Sequence, residues 1–251
     1  MSHHSTSCLV LVVAVLFGPQ SAWSQWGTVK GEVKVAGIVP RLPSLVNNGD
    51  KVKDAEVCSA NAIPDESIVV DPGSNGLANV AVYLVTKPDK IHPDLVKSKK
   101  DEIVVRAMGC QYIPHFAIVR TDQAIRVTSP DPIAHIAHVF ARFNRFESLI
   151  VTPDDDVKRP KKPEKLPVRM TCDIHPWMVA YLLIVDHPYA AVTNSKGEFE
   201  IADLPEGEHE FHIWHESIGF VEKSFKVTVR HGVNQLDSIQ VKSERFLQAL
   251  P

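Results

Sequence analysis

An all-β fold, a sandwich or barrel, is predicted by three features of the sequence: short runs of alternating or β-branched apolar residues, turn chemistry between them, and the lack of any capped helical period. The first runs are residues 28–35 (TVKGEVKV), 80–86 (VAVYLVT), 102–106, 116–120 and 124–128. Between them stand Asp71-Pro72-Gly73, Ser74-Asn75-Gly76, Lys87-Pro88-Asp89 and Ser129-Pro130-Asp131-Pro132, residue types that set the dihedral angles of tight turns. Two further strands are expected at 168–172 and 181–185. Residues 152–167 (TPDDDVKRPKKPEKLP) join them to the preceding part as a charged, proline-rich connection, expected to be an exposed loop.

The chain of 251 residues is 44% hydrophobic, enough for one large core or two smaller ones. A second meander begins after Asp186-His187-Pro188, with runs at 190–193, 198–201 and 210–214 separated by Asn194-Ser195-Lys196-Gly197 and Leu204-Pro205-Glu206-Gly207. The expected organisation is therefore a leader at 1–24, a first module at 25–187 and a second at 188–251.

Residues 1–24 contain no Lys, Arg, Asp or Glu, and Cys8 to Gly18 form an apolar run of secretory rather than membrane-spanning length. With small residues at Ala22 and Ser24, the segment reads as a signal peptide cleaved before Gln25. An exported product is expected, periplasmic or extracellular, with no transmembrane span in the mature chain. The formal net charge of −3 lies wholly outside the leader and implies no nucleic-acid partner.

Removing the leader leaves Cys58, Cys110 and Cys172, an odd number for an oxidising compartment. One thiol is expected to do something other than pair. Cys172-Asp173-Ile174-His175-Pro176-Trp177-Met178 offers a thiolate, an imidazole and a thioether at i, i+3 and i+6, between two expected strands. Soft donors of this kind suit copper cycling between Cu(I) and Cu(II), whereas structural zinc rarely uses a thioether. The set needs one more histidine. Asp131-Pro132-Ile133-Ala134-His135-Ile136-Ala137-His138 supplies two, which on a strand point to opposite sides, so one of them is expected to bind.

These residues resemble the cupredoxins, the small blue copper proteins, and among them the short-loop amicyanin type with the same Cys-x-x-His-x-x-Met spacing. The similarity covers roughly residues 103–185. It implies a Greek-key β-sandwich holding one copper ion through His135, Cys172, His175 and Met178, and electron exchange with a redox protein such as a c-type cytochrome or a dehydrogenase. Ile136 stands where that family carries an Asn that ties the two ligand loops together. Residues 188–241, through AVTNSKGEFEIADLPEGEHEFHIWHE, resemble a carboxypeptidase regulatory-like domain, a smaller prealbumin-like sandwich, which implies no catalysis. The combination is similar to secreted methylamine-utilisation-type proteins.

Other residues keep alternatives open. Gly109-Cys110-Gln111-Tyr112-Ile113-Pro114-His115 offers a second Cys/His pair, so Cys110, His115 and His138 are further metal candidates. Alternatively Cys110 pairs with Cys58 in a disulfide that contributes about 2–4 kcal/mol and leaves Cys172 as the odd thiol. Trp177, between two candidate ligands, is either a docking contact for a redox partner or a cap on the core. His187, His212 and His215 read as hydrogen-bonded structural histidines, because no nucleophile or metal motif accompanies them. Rival functions for the same residues are copper carriage or storage, a copper redox enzyme with an open coordination position at extra histidines, and a structural cell-surface protein with a degenerate site.

Overall fold

A computed structural model describes residues 25–39, 41–146, 149–151 and 157–248. The expected leader, with Cys8, lies outside them. Among the described residues the fold is nearly all β, and the two α-helices, α1 (Ala55–Cys58) and α2 (Glu244–Leu247), are single turns.

Four sheets stack as layers. The outermost on one side is β4–β3–β6–β9, formed by Gln111–Ile113, Glu102–Met108, Ala124–Thr128 and Val157–Lys158. Against it lies β5–β11–β10–β7–β8, formed by Phe116–Arg120, Val179–Val185, Val168–Cys172, His135–Val139 and Leu149–Val151. The third sheet is β12–β2–β14–β15, formed by Ala190–Val192, Ala81–Leu84, Gly207–His215 and Gly219–Val229. The fourth is β13–β1–β16, formed by Glu198–Pro205, Trp26–Ala36 and Gly232–Gln235, with β17 (Ile239–Lys242) also paired to β1.

Strand alternation assigns each side chain to a layer. Val105, Ala107, Ile125 and Val127 of the first sheet meet Val119, Ala137, Met170, Leu182 and Ile184 of the second in one core. Val29, Val33, Phe199 and Ile201 meet Val82, Leu84, Phe211 and Ile213 in another. The odd-numbered neighbours Leu183 and Val185 of β11 and Ala81 and Tyr83 of β2 turn the other way, and with Phe116 and Trp214 they form the seam between the two sandwiches. Strands β2 and β11 are thus covered on both faces, which is why their sequences are continuous apolar runs rather than alternating ones.

The expectation of contiguous modules at 25–187 and 188–251 is corrected by the pairing. β1 pairs with β13, β16 and β17, and β2 with β12 and β14, so the N-terminal strands complete the second sandwich and are not an extension of the first. The exposed-loop expectation for 152–167 holds at Arg159, Lys161, Lys162, Pro163, Lys165 and Leu166 and is revised at other points of its described part, 157–167. Val157 and Lys158 add an edge strand to β6, and Glu164 is buried, accepting the backbone N–H groups of Arg142, Phe143 and Asn144 at 3.2, 2.8 and 3.0 Å. A carboxylate supplied with that many donors can be buried where its charge alone predicts exposure.

Candidate metal centre

The site lies at one end of the first sandwich, where β7 and β10 run side by side and the loop 173–178 closes onto β11. Register pairs Cys172 with Ala137, and the Asp173 N–H donates to the Ile136 carbonyl at 3.0 Å. Main-chain bonding at Ile136 therefore joins the segment that carries His135 to the Cys172–Met178 loop. The loop itself is closed by the Met178 N–H to the His175 carbonyl at 3.0 Å and the Cys172 N–H to the Met178 carbonyl at 3.3 Å.

Alternation along β7 turns His135 into the core, fully buried, and leaves His138 on the opposite face, stacked on Phe140 and 3.4 Å from Asp173. The structure thus brings His135, Cys172 and His175 together: one donor atom from each lies within 4.8 Å of the others. His135 Nδ1 is 4.0 Å and His175 Nδ1 3.7 Å from Cys172 Sγ. A trigonal first-row ion bonded at about 2.0 Å to nitrogen and about 2.3 Å to sulfur would hold those donors about 3.7 Å apart, so the spacing suits one shared ion. Met178 is buried in the same core cluster as Cys172.

The far nitrogens are also engaged. His135 Nε2 is 3.0 Å from Asp131 Oδ2, and His175 Nε2 is 3.0 Å from Asp54 Oδ2. An ionised carboxylate only accepts, so each ring carries a proton on Nε2 and turns Nδ1 toward Cys172. Burial alone raises the Cys172 pKa, but a hydrogen bond with His135 and the backbone N–H groups of Ile136, Ile174 and His175 outweigh it and bring the thiol down to about 6. Burial lowers the His135 pKa, yet its bonds with Cys172 and Asp131 leave it above the ordinary histidine value.

Asp131 and Asp54 were not singled out as site residues by the sequence. Asp131 had a local signal, a turn aspartate four residues before His135. Asp54 had none, being 121 residues from His175.

The remaining candidates fall elsewhere. Cys110 is bonded to Cys58, which leaves Cys172 as the free cysteine among the described residues. His115 sits at the seam, bonded to Glu216 and 3.8 Å from Glu66. Its pKa stands above the usual value because these carboxylates outweigh the opposing effect of burial. It borders a cleft of about 380 Å³ lined also by Tyr112, Trp177, Met178 and Tyr181. Trp177 connects this cleft to the donors, its ring 5.4 Å from that of His175.

A β-sandwich protein with a buried thiol and two imidazoles converging on one point is the class these features define. No protein-family model matches the sequence, and no curated protein matches it. Among solved structures, the chain is similar to a Cu-containing nitrite reductase from Thermus scotoductus SA-01 at 14% identity and a TM-score of 0.28, over 46% of this chain and 25% of that one. It is also similar to a reduced amicyanin variant at 14% identity and a TM-score of 0.27, over 35% of this chain and 86% of that one. A Cu(I) form of another amicyanin variant aligns at 11% identity and a TM-score of 0.28, over 41% and 97%. The chain thus spans a quarter of the nitrite reductase and most of each amicyanin.

Proposed function

We propose that this chain is an exported electron-transfer protein that binds one copper ion through His135, Cys172 and His175, with Met178 as a weak fourth donor. The observation that carries the reading is the orientation of the two imidazoles: both turn Nδ1 toward one thiol of lowered pKa, and both keep Nε2 on a carboxylate. A bound copper ion supplies a one-electron couple with a thiolate bond that gives strong visible colour in the oxidised state.

The chain's own residues account for the rest. Cys172 is supplied with backbone donors that stabilise its thiolate. His135 and His175 are held with a proton on Nε2 by their carboxylates, and neither ring is exposed, so water has no direct path to them. The rigid frame of β7, β10 and the short loop keeps the donors in one arrangement in both oxidation states, which lowers the reorganisation an electron transfer requires. Trp177 is the partly exposed contact through which a protein redox partner docks. The Cys58–Cys110 disulfide supports a working compartment that is oxidising.

The test is the visible absorption and electron paramagnetic resonance spectrum of the Cu(II)-loaded protein lacking residues 1–24. An intense thiolate-to-copper band at one ion per chain, with a reversible one-electron couple, is expected. Colourless Cu(II) protein, or failure to bind at equal ratio, overturns the reading. Tight binding of Cu(I) alone with ready exchange transfers the assignment to copper carriage.

A further inference from the structure

The two carboxylates behind the histidines come from separate parts of the chain, and one covalent bond lies between them. Asp54 precedes α1 in a left-handed conformation, φ 53°, and three backbone hydrogen bonds fix the residues after it: the N–H groups of Val57 and Cys58 donate to its carbonyl at 3.0 and 2.9 Å, and Ser59 N–H donates to the Ala55 carbonyl at 2.9 Å. Cys58 ends that helix and is bonded to Cys110. Gly109 and Cys110 form the two-residue hairpin turn between β3 and β4, both at φ 58°, the conformation that such a turn requires. That conformation aims two successive N–H groups at one acceptor. The acceptor is Asp131: Gly109 N–H reaches Oδ1 at 2.8 Å and Cys110 N–H reaches Oδ2 at 3.1 Å.

The disulfide also lies close to both histidines. The sulfurs of Cys58 and Cys110 and a ring nitrogen of His175 lie within 4.8 Å of one another, as do the Cys110 sulfur, an Asp131 oxygen and a ring nitrogen of His135. A short rigid path therefore runs from His175 through Asp54, α1, the disulfide and the Gly109–Cys110 turn to Asp131 and His135.

We infer that Asp54 and Asp131 are positioning residues for the metal ligands, and that the Cys58–Cys110 disulfide is the strut that holds both carboxylates in register with Cys172. The inference rests on the copper reading for its purpose but on metal-free geometry for its content. An outer partner of a ligating histidine fixes ring orientation and raises its basicity, and its loss costs about 10- to 100-fold in metal affinity. Asp54 and Asp131 each fill that role for one ring. The strut makes them a unit, because Asp54 reaches His175 from a segment that pairs with no strand of the site.

Long-range proton–nitrogen correlation spectra of the metal-free protein at alkaline pH test the brace without copper. His135 and His175 are expected as pure Nε2–H tautomers. Asp54→Ala releases His175 to a tautomer mixture, Asp131→Ala does the same for His135, and Asp54→Asn, which keeps an acceptor in place, restores the Nε2–H form. In copper titrations each alanine variant is expected to bind about 10- to 100-fold more weakly and to shift the charge-transfer band, whereas Glu200→Gln, on the far sandwich, leaves both unchanged. Removing the strut as Cys58→Ser with Cys110→Ser is expected to weaken copper binding and to make a further Asp54→Ala change nearly silent. Should Asp131→Ala fail to fold, the Asp54 variants, at a partly exposed position, still decide. A folded Asp54→Ala protein with wild-type tautomers and affinity overturns the brace. A strut-less protein in which Asp54→Ala keeps its full effect overturns the strut. Wild-type protein that takes no copper overturns the function proposed above, while the tautomer spectra still judge the brace.

Discussion

The first sandwich buries His135 and His175 completely, and the second buries His187 and His215 almost as fully. The two pairs use their nitrogens in opposite ways. His187 and His215 spend Nδ1 on local backbone, accepting the N–H of Tyr189 at 3.2 Å and of Ser217 at 3.3 Å, two residues on. His135 and His175 keep Nδ1 for Cys172 and place Nε2 on carboxylates distant in sequence or beyond a turn. Electrostatics divides them in the same way: burial lowers the pKa of His187, and that of His215 to about 3, whereas His135, beside Asp131 and Cys172, stands above the ordinary value. A buried histidine is thus a turn element or a candidate ligand according to which nitrogen its neighbours leave available.

The sharpest way to break this comparison is to remove the thiol. Cys172→Ser is expected to abolish the visible copper band and to weaken binding by more than the loss of an outer partner, while His215→Asn and His138→Ala leave the spectrum as it was; absorption spectra of the three copper-loaded variants decide it. Next in size is the seam that joins the two sandwiches. Trp214 packs against Phe116 and Tyr181 with ring centroids 6.2 and 5.4 Å away, so Trp214→Ala is expected to cost about 3–5 kcal/mol. Denaturant unfolding followed separately by fluorescence and by the copper band should then resolve two transitions in place of one.

The smallest effect concerns acid. His215 has a folded pKa of about 3 against an ordinary value of 6.5. The unfolded chain therefore binds the proton first, and the stability contributed by neutral His215 is present above pH 6.5 and declines as the pH falls toward 3. His215→Leu is expected to flatten the acid limb of a melting-temperature profile between those values, and an unchanged limb would contradict the assignment of His215 as a buried neutral group.

Much of this was legible from local pattern. Alternation placed the strands at 102–106, 116–120, 124–128 and 168–172 close to where they lie, because each has one face in a core. The same period turned His135 and His138 to opposite sides. Strand partners were not legible: the pattern at 28–35 says that a strand buries one face, but it does not say that β13, β16 and β17 supply its neighbours. Glu164 and Asp54 escaped for a related reason. Both are carboxylates whose partners are distant in sequence, backbone donors 20 to 22 residues away for one and His175 for the other. Composition assigns a lone charge to solvent, and long-range pairing alone reverses that.

Strand β1 also sets the order in which the molecule can be completed. Residues 26–36 are made well before residues 198–242, which supply every named strand beside them; only a short bridge to residues 75–77 comes sooner. Until residues 198–242 are made, most of both edges of this strand are unpaired and its apolar face lacks a lid, the condition under which strands pair with other chains. The second sandwich cannot close before residues 198–242 are available, so contacts of high sequence separation govern its folding rate. A handling factor that keeps the nascent chain extended until its last strands are present would act first on the segment from Trp26 to Ala36.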